Sequence, residues 1–195
     1  MANYFRCDTS FMKETHAGGR LYSAKYGSEI PNGFIGYLGD YVTGSTEVRT
    51  LLDPTSALIK GSMPVIVMKP EINYKDEKMT DRALGIFRNP ANKPLPVVPS
   101  HEFDGIDLSQ DYFDLTGKST GKSTEVEVGD IFAIQANGTV GSQLKYASTA
   151  PTSTNAKCYF KVIGVKNSHI SVFVGSDGNR FPAPYKMIQL QLCLA

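Results

Sequence analysis

The segment 116–123 reads TGKSTGKS and comes close to a phosphate-binding loop. A P-loop has the pattern GxxxxGK[ST], in which four residues between the glycines let backbone N–H groups surround the phosphates. Here three residues separate Gly117 from Gly121, and Thr116 stands where the first glycine would be. Residues 124–128 have the alternation of a strand, whereas the phosphate site needs a helix N-terminus there. We therefore predict a flexible loop and no nucleotide site.

His101, Glu102 and Asp104 place a histidine beside two carboxylates. An imidazole oriented by a carboxylate can act as a general base, which would suit a small hydrolase. The group follows a proline-rich segment, so we favour a solvated turn over a catalytic site. The other histidines, His16 and His169, lie in separate turn-rich regions and have no HxH or HExxH spacing for a metal.

Aspartates recur at intervals of three or four residues after position 103. They are Asp104, Asp107, Asp111 and Asp114. A calcium-binding EF-hand loop needs ligands at alternate positions, a central glycine and a terminal bidentate glutamate. The observed spacing instead fits a helix face or turn caps, so we predict no calcium site.

The three cysteines, Cys7, Cys158 and Cys193, are far apart and form no CxxC pair. A zinc site therefore has no support from spacing. Cys193 lies within a strand pattern, where we expect it to act as a small buried hydrophobe. The sequence thus assigns no catalytic, cofactor-binding or metal-ligating residue and predicts no cofactor.

The elements that would position any site are mostly strands. In Met187–Leu194, the apolar residues Ile188, Leu190, Leu192 and Leu194 alternate with Gln189 and Gln191. A period of two predicts a strand with one buried face and excludes an amphipathic helix.

Further strands and turns are predicted between residues 123 and 186. One hairpin joins Ile131–Ile134 to residues 140–146 across Asn137-Gly138, because both turn residues tolerate positive φ. A second joins 158–165 to 170–174 across 166–169, and Asp177-Gly178 makes another turn.

Upstream of residue 123 the pattern is less regular. Met63–Met68 predicts a strand buried on both faces, and residues 34–38 a further strand. Short helical segments are predicted at 46–52, 76–87 and 107–115. Residues 89–99 contain four prolines and predict an edge strand or linker, not a central strand.

Length and composition indicate one domain of 195 residues, 41% hydrophobic and rich in turn formers, with 18 glycines and 11 prolines. We predict a mainly β fold: a small antiparallel sandwich or barrel with one or two short helices and an extended N-terminal segment. Residues 1–60 are either a loosely structured arm or a strand-and-loop segment. Residues 61–195 form the β-rich domain.

The net charge of +1, without a basic stripe, argues against nucleic acid as the main partner and against a polybasic membrane anchor. No apolar stretch reaches the length of a signal peptide or of a membrane span. We expect synthesis in a reducing cytoplasm.

The segment Glu125–Ile134 (EVEVGDIFAI), the Ser/Thr-rich loop after it and the N-terminal segment resemble capsid decoration (cement) proteins of tailed bacteriophages. The resemblance covers about the C-terminal third of the chain. It implies a non-enzymatic β domain on the outer capsid surface of a virion. Such a domain binds the major capsid protein and copies of itself, as a homo-oligomer or in many copies.

Two other functions are compatible with this sequence. A tail or baseplate component, or a glycan-binding adhesin, would share the Tyr-rich and Gly-rich β composition. A small hydrolase would place its site at His101, Glu102 and Asp104.

Overall fold

The computed structural model describes residues 7–9, 12–13, 21–69, 88–118, 125–139, 141–173 and 180–195, without the side chains of 168–173 and 180–184. Its strands are β1 (Cys7–Asp8), β2 (Tyr22–Lys25), β3 (Ile35–Tyr41), β4 (Val48–Leu52), β5 (Val65–Val67), β6 (Pro94–Pro99), β7 (Gly105–Ser109), β8 (Phe113–Asp114), β9 (Ile131–Ile134), β10 (Leu144–Ala147), β11 (Cys158–Phe173) and β12 (Arg180–Leu194). Helix α1 spans Ser56–Gly61, and a 3-10 turn spans Gln110–Tyr112.

Five strands close into a barrel in the order β2-β4-β3-β5-β6, with β6 pairing back to β2. The β2–β4 pair is parallel and the others are antiparallel. The barrel interior is a small apolar core. It consists of Ala24, Ile30, Phe34, Leu51, Val65, Val67, Leu95 and Val97.

The remaining strands form a seven-stranded sheet in the order β1-β7-β12-β11-β9-β10-β8. Its centre is the long β11–β12 hairpin, whose register runs from Cys158↔Leu194 to Phe173↔Arg180. The neighbours β7 and β9 pair only with the part near residues 158–161 and 187–191. In the described residues, the outer half of the hairpin is therefore a two-stranded ribbon.

Barrel and sheet share a second, larger core. The outward side chains of Ile35, Tyr37 and Ile66 from the barrel pack in one cluster with Leu108, Phe132 and other sheet residues. In β5, Val65 and Val67 point into the barrel core while Ile66 points into the shared core. The predicted strand within Met63–Met68, buried on both faces, is confirmed.

A side chain also hydrogen bonds the two β units together. The N–H of Ile35 donates to Oε1 of Gln143 (3.1 Å), and Nε2 of Gln143 donates to the C=O of Ile35 (2.8 Å). On this side of β3 the ladder with β4 ends at the Tyr37↔Leu52 pair, so Ile35 has no strand partner there. The Gln143 amide supplies both missing bonds at a buried position.

The mainly β architecture predicted from the sequence is confirmed, with a barrel, a larger sheet and little helix. The closing strand is confirmed as part of β12, with Ile188, Leu190 and Leu192 buried. Leu194 departs from the pattern, because it lies at the strand end and is 42% exposed. The hairpin across Asn137-Gly138 is present as β9–β10, and Asn137 has φ +55°.

The prediction of a helix at 46–52 is wrong, since β4 lies there between β2 and β3 and two hydrogen-bond ladders hold it extended. The helix instead follows Pro54, where Thr55 caps α1 by accepting from the N–H of Leu58. Residues 107–115 form the end of β7, the 3-10 turn and β8, so the predicted helical turn is limited to Gln110–Tyr112.

The predicted hairpin across 166–169 is also wrong, because β11 continues through these residues in unbroken register with β12. Residues 125–130 form no strand and contain a turn in which the N–H of Asp130 donates to the C=O of Glu127 (3.1 Å); Val126 is buried, while Val128 is 65% exposed. The predicted helix at 76–87, the Asp177-Gly178 turn and His16 lie outside the described residues.

The exclusion of residues 89–99 from a central position is wrong, because β6 lies between β2 and β5. It pairs with β2 over 94–97 and with β5 over 97–99, so each half has one ladder. The C=O of Pro96 accepts from Met68 N–H (3.1 Å), just past the end of β5. The C=O and the N of one strand residue point to the same side, so the N of Pro96, which has no hydrogen, also faces the β5 side. The β5 ladder covers only residues 97–99 of β6, so no strand partner requires a donor from Pro96.

The boundary at residue 60 does not separate the two β units. Barrel strands β2, β3 and β4 precede it, and β5 and β6 follow it. Further upstream, β1 pairs with β7, and Met12 is fully buried in the shared core. Residues 21–60 contain β2, β3 and β4, joined by loops, and most of helix α1.

Replacing Gln143 by alanine should destabilise the protein by about 2–4 kcal/mol, because the buried N–H and C=O of Ile35 lose their partners. Chemical denaturation followed by circular dichroism measures the change. Gln191→Ala is the matched control: Gln191 is half-buried on β12, and its loss should cost about 0.5 kcal/mol or less. Equal effects of the two substitutions would contradict the role given to Gln143.

Candidate functional site

Lys118, in the loop that resembles a P-loop, has a structural role. Its ammonium donates to Oδ2 of Asp130 (2.6 Å) and to the C=O of Glu125 (2.6 Å), and it lies 3.4 Å from Oε2 of Glu127. The side chain is 2% exposed. The described residues after it, 125–130, contain a turn and provide no helix N-terminus for a phosphate. The loop residues 119–124 lie outside the described part.

The electrostatics of Lys118 agree with this role. Burial by itself lowers the pKa of the ammonium, but the Asp130 hydrogen bond and the charges of Asp130 and Glu127 outweigh it and raise the pKa. The cation also lies 5.8 Å from the ring centroid of Tyr146. Lys118 therefore stays positively charged, and its hydrogen bond to Asp130 connects its loop to the turn before β9.

The His101–Asp104 group is built around a buried carboxylate. Oδ2 of Asp104 accepts from the backbone N–H of His101 (2.6 Å), and Oδ1 accepts from the N–H of Lys13 (2.9 Å). Nδ1 of His101 lies 3.6 Å from Oδ2, too far for a hydrogen bond. Glu102 is exposed beside them. The structure thus brings these residues together as a turn in which Asp104 caps the backbone.

This turn displays an aromatic residue that sequence reasoning missed. Phe103 is 67% exposed, and its φ of +68° lies in the left-handed region. The other non-glycine residues with positive φ in the described chain are Asn92 and Asn137, a residue type that tolerates it. The N–H of Phe103 donates to the C=O of Leu192 (2.9 Å), which fixes the turn against β12.

The strain at Phe103 is maintained by its surroundings. A left-handed conformation costs a residue with a side chain about 1–2 kcal/mol. The Asp104 caps and the reciprocal bond from Leu192 N–H to the C=O of Asp104 (2.9 Å) hold it in place. Strained backbone conformations cluster at functional sites, so an exposed ring at such a position is a candidate contact residue.

The remaining aspartates do not converge on a metal site. Asp107 is buried in β7 and pairs with Lys166 through Oδ2 (2.9 Å). The pKa of Asp114 is lowered by hydrogen bonds from the Thr116 hydroxyl and from the Thr116 N–H, which donates to Oδ1 (2.8 Å). Within the described ranges, no three His, Cys, Asp or Glu side chains lie close enough together to hold a metal ion.

The cysteines are free thiols. The prediction that Cys193 is buried is wrong: it is half-buried on the face of β12 opposite Leu190 and Leu192. The buried thiol is Cys158, in the shared core, where burial raises its pKa to about 12.

A cleft of about 260 Å³ opens where the end of the barrel meets the β9–β10 loop. Its lining residues are Tyr26, Ser28, Glu29, Ile30, Phe34, Asp53, Asn137, Gly138 and Thr139. The N–H of Asn137 donates to the C=O of Pro54 (2.7 Å) and fixes the loop at the cleft wall. The cleft therefore exists only because the two β units are docked.

Two aromatic rings and a carboxylate organise this cleft. The rings of Tyr26 and Phe34 are tilted with centroids 5.1 Å apart, and Phe34 is buried. The hydroxyl of Tyr26 donates to Oδ1 of Asp53 (2.6 Å). Burial, together with this hydrogen bond and the Asp53 charge, raises the pKa of Tyr26 to about 12. The phenol thus stays a donor at neutral pH.

Comparison with family models, with curated proteins and with solved structures found no match to this chain. In the described part of the chain, no helix is both long and apolar enough to cross a membrane.

Asp104→Asn should destabilise the protein by about 1–3 kcal/mol, because the neutral amide presents a donor to one of the two backbone N–H groups that the carboxylate satisfies. His101→Ala should cost less than about 1 kcal/mol, since the imidazole is 41% exposed. Urea unfolding compares the two. An effect of His101→Ala as large as that of Asp104→Asn would show that the imidazole stabilises the turn.

Stability should fall at alkaline pH in part through Cys158. The pKa of this thiol is about 12 in the folded state, whereas the ordinary pKa of a cysteine thiol is 9.0. Its contribution to stability is therefore complete below pH 9 and is lost as the pH rises to about 12. The slope is about 1.4 kcal/mol per pH unit. Between pH 9 and 11, the free energy of unfolding of Cys158→Ala, measured by chemical denaturation, should decline less steeply than that of the parent protein, by about 1.4 kcal/mol per pH unit. Parallel curves for the two proteins would contradict the buried-thiol assignment.

Proposed function

We propose that the protein is a non-enzymatic structural protein of a phage virion, which decorates the capsid by binding the major capsid protein. The observation that carries the contact role is Phe103, an exposed aromatic side chain on a backbone that hydrogen bonds hold in the left-handed conformation. Exposed aromatic residues contribute strongly to protein–protein contacts, and a backbone that is already fixed loses little entropy on binding.

The contacts of the ionisable groups that could take part in catalysis support a non-catalytic role. Asp104 caps two backbone N–H groups, and Lys118 is bound by Asp130 and Glu127. Neither His101 nor Asp104 lines the cleft between barrel and sheet. These interactions stabilise the fold and leave the polar groups engaged within the protein.

The capsid assignment draws on the resemblance of residues 125–134 to decoration proteins. In that segment, the turn at 127–130 and strand β9 lie at the edge of the shared core, and Val128 is exposed. A body of two docked β units with apolar residues on its surface suits the bridging of neighbouring subunits, where added contact area resists outward pressure.

Purified protein added to capsids that lack it should bind in a saturable, stoichiometric manner and raise the temperature at which the shells open. Sedimentation of the mixture measures the stoichiometry, and a thermal melt of the shells measures the stabilisation. Absence of binding to mature shells would overturn the proposal.

Phe103 variants separate contact from folding. Phe103→Ala and Phe103→Gly should both weaken capsid binding at least about tenfold, because both lack the ring. Phe103→Gly should be more stable than Phe103→Ala by about 1 kcal/mol, since glycine adopts positive φ without strain.

Tyr41→Ala is the matched control, as Tyr41 is an aromatic residue of similar exposure (59%) outside both the Phe103 turn and the segment 125–134. It should bind as the parent does. Capsid binding that survives both Phe103 substitutions would eliminate this turn as the contact, and an equal loss for Tyr41→Ala would show a non-specific aromatic effect.

A further inference from the structure

We propose that the cleft between the barrel and the β9–β10 loop binds a single neutral sugar ring. The volume of about 260 Å³ is just below the range of about 300–1,000 Å³ usual for drug-sized ligands, so it suits one ring better than a chain. The inference is independent of the proposed function, because Phe103 is not among the residues that line the cleft.

The ring of Tyr26 provides a surface for the C–H face of a sugar. Tyr26 is half-buried, whereas Phe34 is 2% exposed and packs against the Tyr26 ring at an interplanar angle of 48°. Both residues are fixed by the fold: Phe34 belongs to the barrel core, and the C=O of Tyr26 accepts from the N–H of Asn92 (2.8 Å). The Tyr26 ring therefore needs no rearrangement to accept an apolar face.

The polar part of the lining matches hydroxyl groups. Asp53 lines the cleft, and its Oδ1 accepts from the Tyr26 hydroxyl, so the carboxylate is held there with Oδ2 as a further acceptor. Glu29 adds a second carboxylate, and Asn137 adds an amide that can both donate and accept. Vicinal hydroxyls of a sugar can donate to such carboxylates while accepting from the amide.

The charge of the lining excludes anions. Glu29 and Asp53 line the cleft, and none of its lining residues is Lys, Arg or His. A phosphate, a nucleotide or an acidic sugar would therefore meet only negative side chains there. A neutral ring satisfies the same acceptors without that repulsion.

The full-length protein labelled with ¹⁵N tests the inference by NMR titration with methyl glycosides of neutral hexoses and pentoses. We expect at least one glycoside to give saturable shifts in the millimolar range at the amides of Tyr26, Asn137 and Gly138. Tetramethylammonium and inorganic phosphate are titrated in parallel. Saturable shifts with tetramethylammonium and none with any glycoside would overturn the proposal in favour of a cation site. Absence of saturable shifts with every probe would also overturn it.

Asp53→Asn should weaken glycoside binding at least about tenfold, because it removes the charge of the principal acceptor and replaces one acceptor oxygen by an NH2 group that only donates. Tyr41→Phe is the matched control, as Tyr41 is an exposed tyrosine remote from the cleft lining. Thermal unfolding verifies that both variants fold. Unchanged affinity in a folded Asp53→Asn protein would eliminate the cleft as the site. Retained glycoside binding by Phe103→Ala would show that this site is separate from the capsid contact.

Discussion

The docking of the barrel against the sheet is the constraint on which the rest of the structure depends. Among the described residues, the barrel core contains eight buried residues, and the sheet buries its face against the outer side of β3, β5 and β6 together with Met12 and Ile59. The Gln143 amide completes the ladder of Ile35 at this junction. A polar bond at a buried place fixes one relative orientation, because a shifted interface would leave four hydrogen-bonding groups unpaired.

This docking also creates the surface features to which function is assigned. The cleft proposed to bind a sugar has one wall from the barrel, at Tyr26 and Phe34, and one from the β9–β10 loop, at Asn137 and Gly138. The turn at Phe103 connects β6 of the barrel to β7 of the sheet. Both sites thus depend on chain segments whose position is set by the shared core.

In the described part of this protein, several charged side chains bind together segments that are distant in sequence. Lys118 binds a loop to Asp130, Lys166 binds β11 to Asp107 across the sheet, and Asp104 holds Lys13 by its backbone. The Lys118–Asp130 pair is separated by 12 residues in sequence, the Lys166–Asp107 pair by 59 and the Lys13–Asp104 contact by 91. Spacing along the chain therefore did not indicate these three contacts.

Alternation and turn chemistry, which are local, were enough to predict a mainly β protein, the buried strand at 63–68 and the closing strand β12. Local signals failed where a distant partner decided the outcome. Residues 46–52 became a strand because β2 and β3 flank them, and β6 became central because its prolines fall where the ladders end. The exposed ring of Phe103 and the cleft were not predictable from the sequence. The left-handed turn, in which Asp104 accepts from the N–H of Lys13, and the cleft, whose walls come from two β units, exist only after segments far apart in sequence have packed together.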